Sequence, residues 1–141
     1  MAFRTPLAVR FGDCDPAGLV YYPRFFHHFH AAMEELFAVS LGLPYPELTR
    51  GAGLGFPAVH VESDFRSPLR YGEAAEIEVA VERLGETSCT FRFRLFAGGE
   101  PAPRAEARVV TVCVDLATLA KRPIPDALRA SLARHLPGEG A

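Results

Sequence analysis

A single change of hydrophobic period divides this chain and limits what it can fold into. Phe25, Phe26, Phe29, Ala32, Met33, Leu36 and Phe37 recur at a spacing near 3.6, the mark of a helix with one buried face. From Val59 onward the spacing falls to two. Val59, Val61, Ser63 and Phe65 alternate with His60, Glu62, Asp64 and Arg66. Ala75, Ile77, Val79 and Val81 alternate with Glu76, Glu78, Ala80 and Glu82. Cys89, Phe91, Phe93 and Leu95 alternate with Thr90, Arg92, Arg94 and Phe96. A fourth run, 105–114, is more apolar, and residues 6–11 alternate well enough to form a strand ahead of the helix. The joints SPLRYGE, LGETS and AGGEPAP are turn material.

The pattern predicts one strand, one long helix over 23–41 and then four long strands on short connections. Pro23 stands at the first helical position, and Gly42 with Pro44 closes the helix. Residues 45–57 read as a turn and a glycine-rich loop, and 126–136 as a short C-terminal helix. Short links between consecutive strands imply an antiparallel sheet. One helix and one sheet must bury their apolar faces on each other, so the class is α+β. With 141 residues and no internal repeat or linker, the expected division is one domain, 1–136, and a frayed tail, 137–141.

The formal net charge of −2 and the lack of a Lys/Arg run argue against a nucleic-acid partner. No apolar run approaches the ~18 residues of a membrane span, and the N-terminus lacks the apolar stretch of a signal peptide. Three cysteines with no paired spacing fit reduced thiols in the cytoplasm. Cys14 reads as a passive spacer. His27, His28 and His30 lack the further ligands a metal would need, and read as one pocket histidine, His30, and two surface or interface ones.

The turn ahead of the helix holds the chemistry. Asp13 and Asp15 sit in GDCDPAG. With Pro23 at the first helical position, Tyr22 would be the N-cap, and its hydroxyl cannot reach back to the free backbone donors. The N–H groups of Tyr22, Arg24 and Phe25 are then open to an anion or a carbonyl, aided by the positive end of the helix. A carboxylate beside such a helix end can attack an activated acyl group, or deprotonate a water that does. The plainer alternative is an Asp-rich turn that only caps or solvates. In the run Tyr21, Tyr22, Phe25, Phe26 and Phe29 most rings are core, and one or two, Tyr21 among them, could line an acyl pocket.

The stretch Val9-Arg10-Phe11-Gly12-Asp13-Cys14-Asp15-Pro16-Ala17-Gly18-Leu19-Val20-Tyr21-Tyr22-Pro23 resembles the signature of the 4-hydroxybenzoyl-CoA thioesterase family. The similarity continues more weakly through Gly55-Phe56-Pro57 to about residue 116. The resemblance implies the hotdog fold, a long antiparallel sheet of about five strands wrapped around one central helix. It also implies a homodimer or homotetramer with its site between subunits, an acyl-CoA substrate, and neither cofactor nor metal. An acyl carrier protein is a further possible partner. By the resemblance Asp15 is the catalytic carboxylate and Tyr22 supplies the polarising backbone N–H. Asp13 orients the motif, and Gly18 marks a tight backbone turn.

Three positions depart from that pattern. His30 stands where the family's aspartate meets a substrate phenol. Phe56 replaces a threonine of the partner subunit. The turn Leu84-Gly85-Glu86-Thr87-Ser88 lacks the family's basic cluster, with only Arg83 nearby. These departures predict an aromatic or short-chain acyl group with little preference for a para-hydroxyl. Two other readings remain open: a hotdog hydratase or dehydratase, and a non-catalytic acyl-CoA-binding module.

Overall fold

The computed structural model describes residues 2–137, so the tail 137–141 lies outside the described residues except for Pro137. Strand β1 (Phe3–Ala8) leads through a short 3₁₀ turn (Phe11–Asp13) to helix α1 (Tyr22–Glu35), which continues as a π-helical turn over Leu36–Ser40. A second π-helical turn (Glu47–Gly51) precedes β2 (Leu54–Gly55), β3 (Ala58–Phe65), β4 (Ala74–Leu84), β5 (Ser88–Ala97), β6 (Ala105–Val112) and β7 (Val114–Asp115). Helix α2 (Asp126–Ala133) closes the chain.

The main sheet is antiparallel throughout, in the order β1-β4-β5-β6-β3. The period-two faces fall as expected on the two central strands. Ile77, Val79 and Val81 of β4, with Cys89, Phe91, Phe93 and Leu95 of β5, are buried against α1. From the helix, Phe25, Phe29, Ala32 and Met33 meet them, and the rings of Phe29 and Phe93 stack at 5.2 Å. A five-stranded sheet curled around one long helix is the hotdog fold.

Three expectations need correction. Strand β3 does not form a hairpin with β4, although only residues 66–73 separate them. It crosses to the far edge and pairs with β6, Val61 opposite Val109. The link is held by other partners: Leu69 is buried, its carbonyl accepts the Val20 N–H at 2.8 Å, and the Tyr71 N–H donates to the Gly18 carbonyl. The segment 66–71 is thus a strap along the Asp15 turn. The apolar side of β3 is left open, with Val59, Val61 and Phe65 all exposed. The third difference is a small second sheet, Leu54 opposite Asp115 and Gly55 opposite Val114, where only a loop and one continuous strand were expected. A Cβ at Gly55 would lie 2.7 Å from the end of the Leu116 side chain, so a larger residue there would displace that side chain.

Candidate active site

Asp13 is 1% exposed, and both its carboxylate oxygens are occupied. Oδ2 accepts the Arg10 N–H at 2.8 Å and His28 Nε2 at 2.9 Å; Oδ1 accepts Arg24 Nε at 3.0 Å. Burial works against its charge, but the bonds from Arg10, His28 and Arg24 prevail and hold the carboxyl below the usual carboxylate range. Its carbonyl accepts the Tyr21 N–H at 2.8 Å. His28, expected on the surface or at an interface, is instead half-buried in this ion pair. The i, i+4 spacing of Arg24 and His28 on a helix could have signalled a shared partner.

Asp15 closes the next turn. Its N–H donates to the Leu19 carbonyl at 2.8 Å, and its carbonyl accepts the Gly18 N–H at 2.9 Å. Gly18 sits at φ +80°, the left-handed region where only glycine is unstrained. The carboxylate takes two backbone bonds on one oxygen: Oδ1 accepts the Ala17 N–H at 2.9 Å and the Leu19 N–H at 3.3 Å. Among the described residues, Oδ2 has no protein donor. Half-buried, Asp15 lines a cavity of about 460 Å³ with Val20, Tyr21, Tyr22, Phe25, Phe65 and the strap residues Arg66 to Pro68.

The N-cap is Tyr21 rather than Tyr22. Its backbone is extended, its N–H is held by Asp13, and its carbonyl accepts the Arg24 N–H at 2.8 Å, so the first turn starts one residue earlier than the proline suggested. Of the donors expected to be free, that of Arg24 is therefore occupied. Pro23 has none to offer. The Tyr22 N–H meets no protein acceptor among the described residues. No side chain caps this end, and no acidic residue lies in its first turn, so its partial positive charge is left uncompensated by α1 itself, and three residues of this end, Tyr21, Tyr22 and Phe25, line the cavity that holds Asp15.

The remaining predicted residues divide between places. The Tyr21 and Tyr22 rings line the Asp15 cavity. His30 and Phe56 line a second, mostly apolar cavity of about 270 Å³ with Phe26, Phe29, Met33, Val61 and Phe93. His30 Nδ1 lies 3.0 Å from Glu34 Oε2, and Phe56 is buried against Phe37. Asp13 and Gly18 line neither cavity and shape the turn instead. Phe65 stands between the two: its ring lies 6.2 Å from Tyr22, 5.2 Å from Phe25 and 6.1 Å from Phe26. Its place on the apolar side of β3 was readable, but its neighbours depend on a pairing that no local pattern encodes.

The Cys14 thiol lies 3.8 Å from the Arg10 carbonyl. The Arg66 guanidinium is engaged by Glu106 at 2.8 Å. Among the described residues, no three His, Cys, Asp or Glu side chains come together as a metal-ligand set, and no helix is long and apolar enough to cross a membrane.

The family described as the thioesterase-like superfamily matches residues 9–132. A 1,4-dihydroxy-2-naphthoyl-CoA hydrolase from Synechococcus elongatus is 31% identical over 122 residues, covering 86% of this chain and 88% of its own. Another, from Gloeothece citriformis, is 33% identical over 132 residues, covering 89% of this chain and 88% of its own. Among solved structures, a thioesterase superfamily protein from Jannaschia sp. superposes with a TM-score of 0.86 at 28% identity, covering 97% of this chain and 94% of the other.

Proposed function

The chain belongs to the thioesterase-like superfamily, and from that premise we propose that it hydrolyses an acyl-CoA thioester to a free acid and CoA, with Asp15 as the catalytic carboxylate. One observation carries the reading. Asp15, with one carboxylate oxygen uncommitted, lines the same cavity as Tyr22, the first residue of α1, whose backbone N–H meets no protein acceptor among the described residues. The thioester oxygen takes the Tyr22 N–H, which gains strength as negative charge develops there in the transition state. Asp15 Oδ2 then attacks the carbonyl carbon, or takes a proton from a water that attacks it. In the first route the C–S bond breaks to give a mixed anhydride, and water cleaves it to regenerate the carboxylate. In the second the tetrahedral adduct expels the thiolate directly, and Asp15 returns to solvent the proton it took. In both, CoA leaves as a thiolate that a solvent proton neutralises, so neither cofactor nor metal takes part.

The acyl group belongs in the second cavity. A pocket of about 150 Å³ holds benzene, so about 270 Å³ walled by Phe26, Phe29, Phe56 and Phe93 suits a substituted or two-ring aromatic acid. The names of the two hydrolase relatives support an aromatic acyl-CoA. His30 donates to Glu34 through Nδ1, leaving Nε2 as acceptor for a ring hydroxyl when the imidazole is neutral. The histidine is exposed, so water can replace that hydroxyl at little cost. Strong rejection requires a buried polar group left unpaired, so the hydroxyl should matter by less than about a hundredfold.

The open apolar side of β3, together with its free backbone edge, supports assembly with a second copy. The chain is read as one catalytic domain over 1–136.

A thiol-release assay over benzoyl-, 4-hydroxybenzoyl-, 1,4-dihydroxy-2-naphthoyl- and linear acyl-CoAs tests the reading. Aromatic esters should be the best substrates, with benzoyl-CoA within about a hundredfold of its 4-hydroxy analogue. Release from none of them would overturn the activity, and a clear preference for long linear chains would overturn the acyl assignment.

A further inference from the structure

Arg24 and His28 lie outside both cavities that the proposed chemistry uses, yet both end on Asp13. Residues i and i+4 share one face of a helix, and this pair reaches back from successive turns of α1 to the two oxygens of one carboxylate, at 3.0 and 2.9 Å. A third bond joins the same residue to the helix start, from the Tyr21 N–H to the Asp13 carbonyl. Asp13 is thereby fixed to the first two turns of α1 from inside the fold, where it is 1% exposed. Asp15 follows two residues later, a tether of roughly 7 Å at full extension. Between Asp13 and α1 the Asp15 turn is held by this clamp, by the bridge of Cys14 with Val20 and by the Asp15–Leu19 bond.

We infer that Arg24 and His28 are positioning residues, which hold the Asp15 turn in register with the N-terminus of α1 through Asp13. The inference rests on the proposed role of Asp15 and adds to it two residues that touch neither substrate nor the reacting atoms. Displacement of a reacting group by about 1 Å can cost ~10²-fold in rate, so loosening the clamp should lower kcat and leave KM nearly unchanged.

The test is a double-mutant cycle with Asp15→Asn, scored on kcat and KM for the best acyl-CoA, well below each variant's melting temperature. Arg24→Met should lower kcat by about 10- to 100-fold with KM within about threefold. His28→Leu should do the same, whereas His28→Gln, whose amide can still donate to Oδ2, should recover most of the rate. In the Asp15→Asn background, Arg24→Met should change the residual rate by less than about twofold, because the group it positions is already disabled. Arg24 is 43% exposed, which favours a folded variant; Arg24→Lys, which keeps the charge but loses the planar fork, carries the same test if Arg24→Met does not fold. A kcat for Arg24→Met within twofold of wild type overturns the inference. So does an undiminished loss in the Asp15→Asn background, which would mark a merely structural role. Wild-type turnover by Asp15→Asn alone would instead remove the reading beneath it, and the same set of rates separates these failures.

Discussion

Asp13 and Asp15 are the same residue type in one turn, separated only by Cys14, and the fold uses them in opposite ways. Asp13 is sealed from solvent, with the Arg24 guanidinium, the His28 imidazole and a backbone donor on its carboxylate. Asp15 is half-buried, tied to its own turn through Oδ1, without a protein donor on Oδ2 among the described residues, and lines a cavity together with the first residues of α1. A carboxylate enclosed in the fold and hydrogen-bonded on both oxygens can hold a structure together but cannot reach a substrate. One with a fixed oxygen and a free one is oriented and still reactive. Burial and hydrogen-bond occupancy distinguish the two carboxylates here, where residue type and position in a turn do not, and on that difference the proposal gives the chemistry to Asp15.

That contrast predicts a graded series of stability effects. Asp13→Ala should be the most damaging. It leaves His28 and the Arg10 N–H without an acceptor, and broken buried pairs cost ~3–5 kcal/mol. Arg24 can turn to solvent, so the lower end, about 3 kcal/mol, is expected, seen as a fall of roughly 10 °C in Tm for a chain of this size. A fall below about 2 °C would mean that Asp13 is not structural. Next is Gly18→Ala, where a Cβ meets nothing within 4 Å, so the cost is that of the left-handed backbone alone, about 1–2 kcal/mol. The acid limb of stability should also report on Asp13. Its folded pKa lies below the unfolded value of about 3.9, so its contribution is complete above that pH and fades as pH falls through the folded value. Tm measured from pH 6 to pH 2 should therefore drop more steeply in acid for wild type than for Asp13→Asn, and parallel curves would contradict the assignment. Asp15→Asn should be the mildest change, under about 1 kcal/mol, because the amide oxygen can still accept the Ala17 and Leu19 N–H groups.

Much of this was legible before any coordinates. The alternation of Ile77, Val79 and Val81 against Phe91, Phe93 and Leu95 is local information, and those side chains form the core wall. The helix with its buried Phe25, Phe29 and Met33 was equally plain. The crossing of β3 to the far edge was not, because a strand's partner is chosen by the whole sheet, and its own pattern states only which side is apolar. The same limit hides Phe65 as the divider between cavities, and leaves His28 read as a surface or interface residue. The sequence singles out both Asp13 and Asp15 as candidates, but spacing does not tell which is enclosed. That depended on Arg24 and His28 arriving from the helix.

The most direct test of the account is turnover by Asp15→Asn on the best acyl-CoA, with the fold verified by an unchanged Tm. A positioned acid or base contributes ~10²–10⁴-fold and a nucleophile can contribute more, so a loss of at least about a hundredfold in kcat at near wild-type stability is predicted. Turnover within about threefold of wild type would show that Asp15 is not the catalytic carboxylate, and that the difference between the two aspartates is one of burial alone.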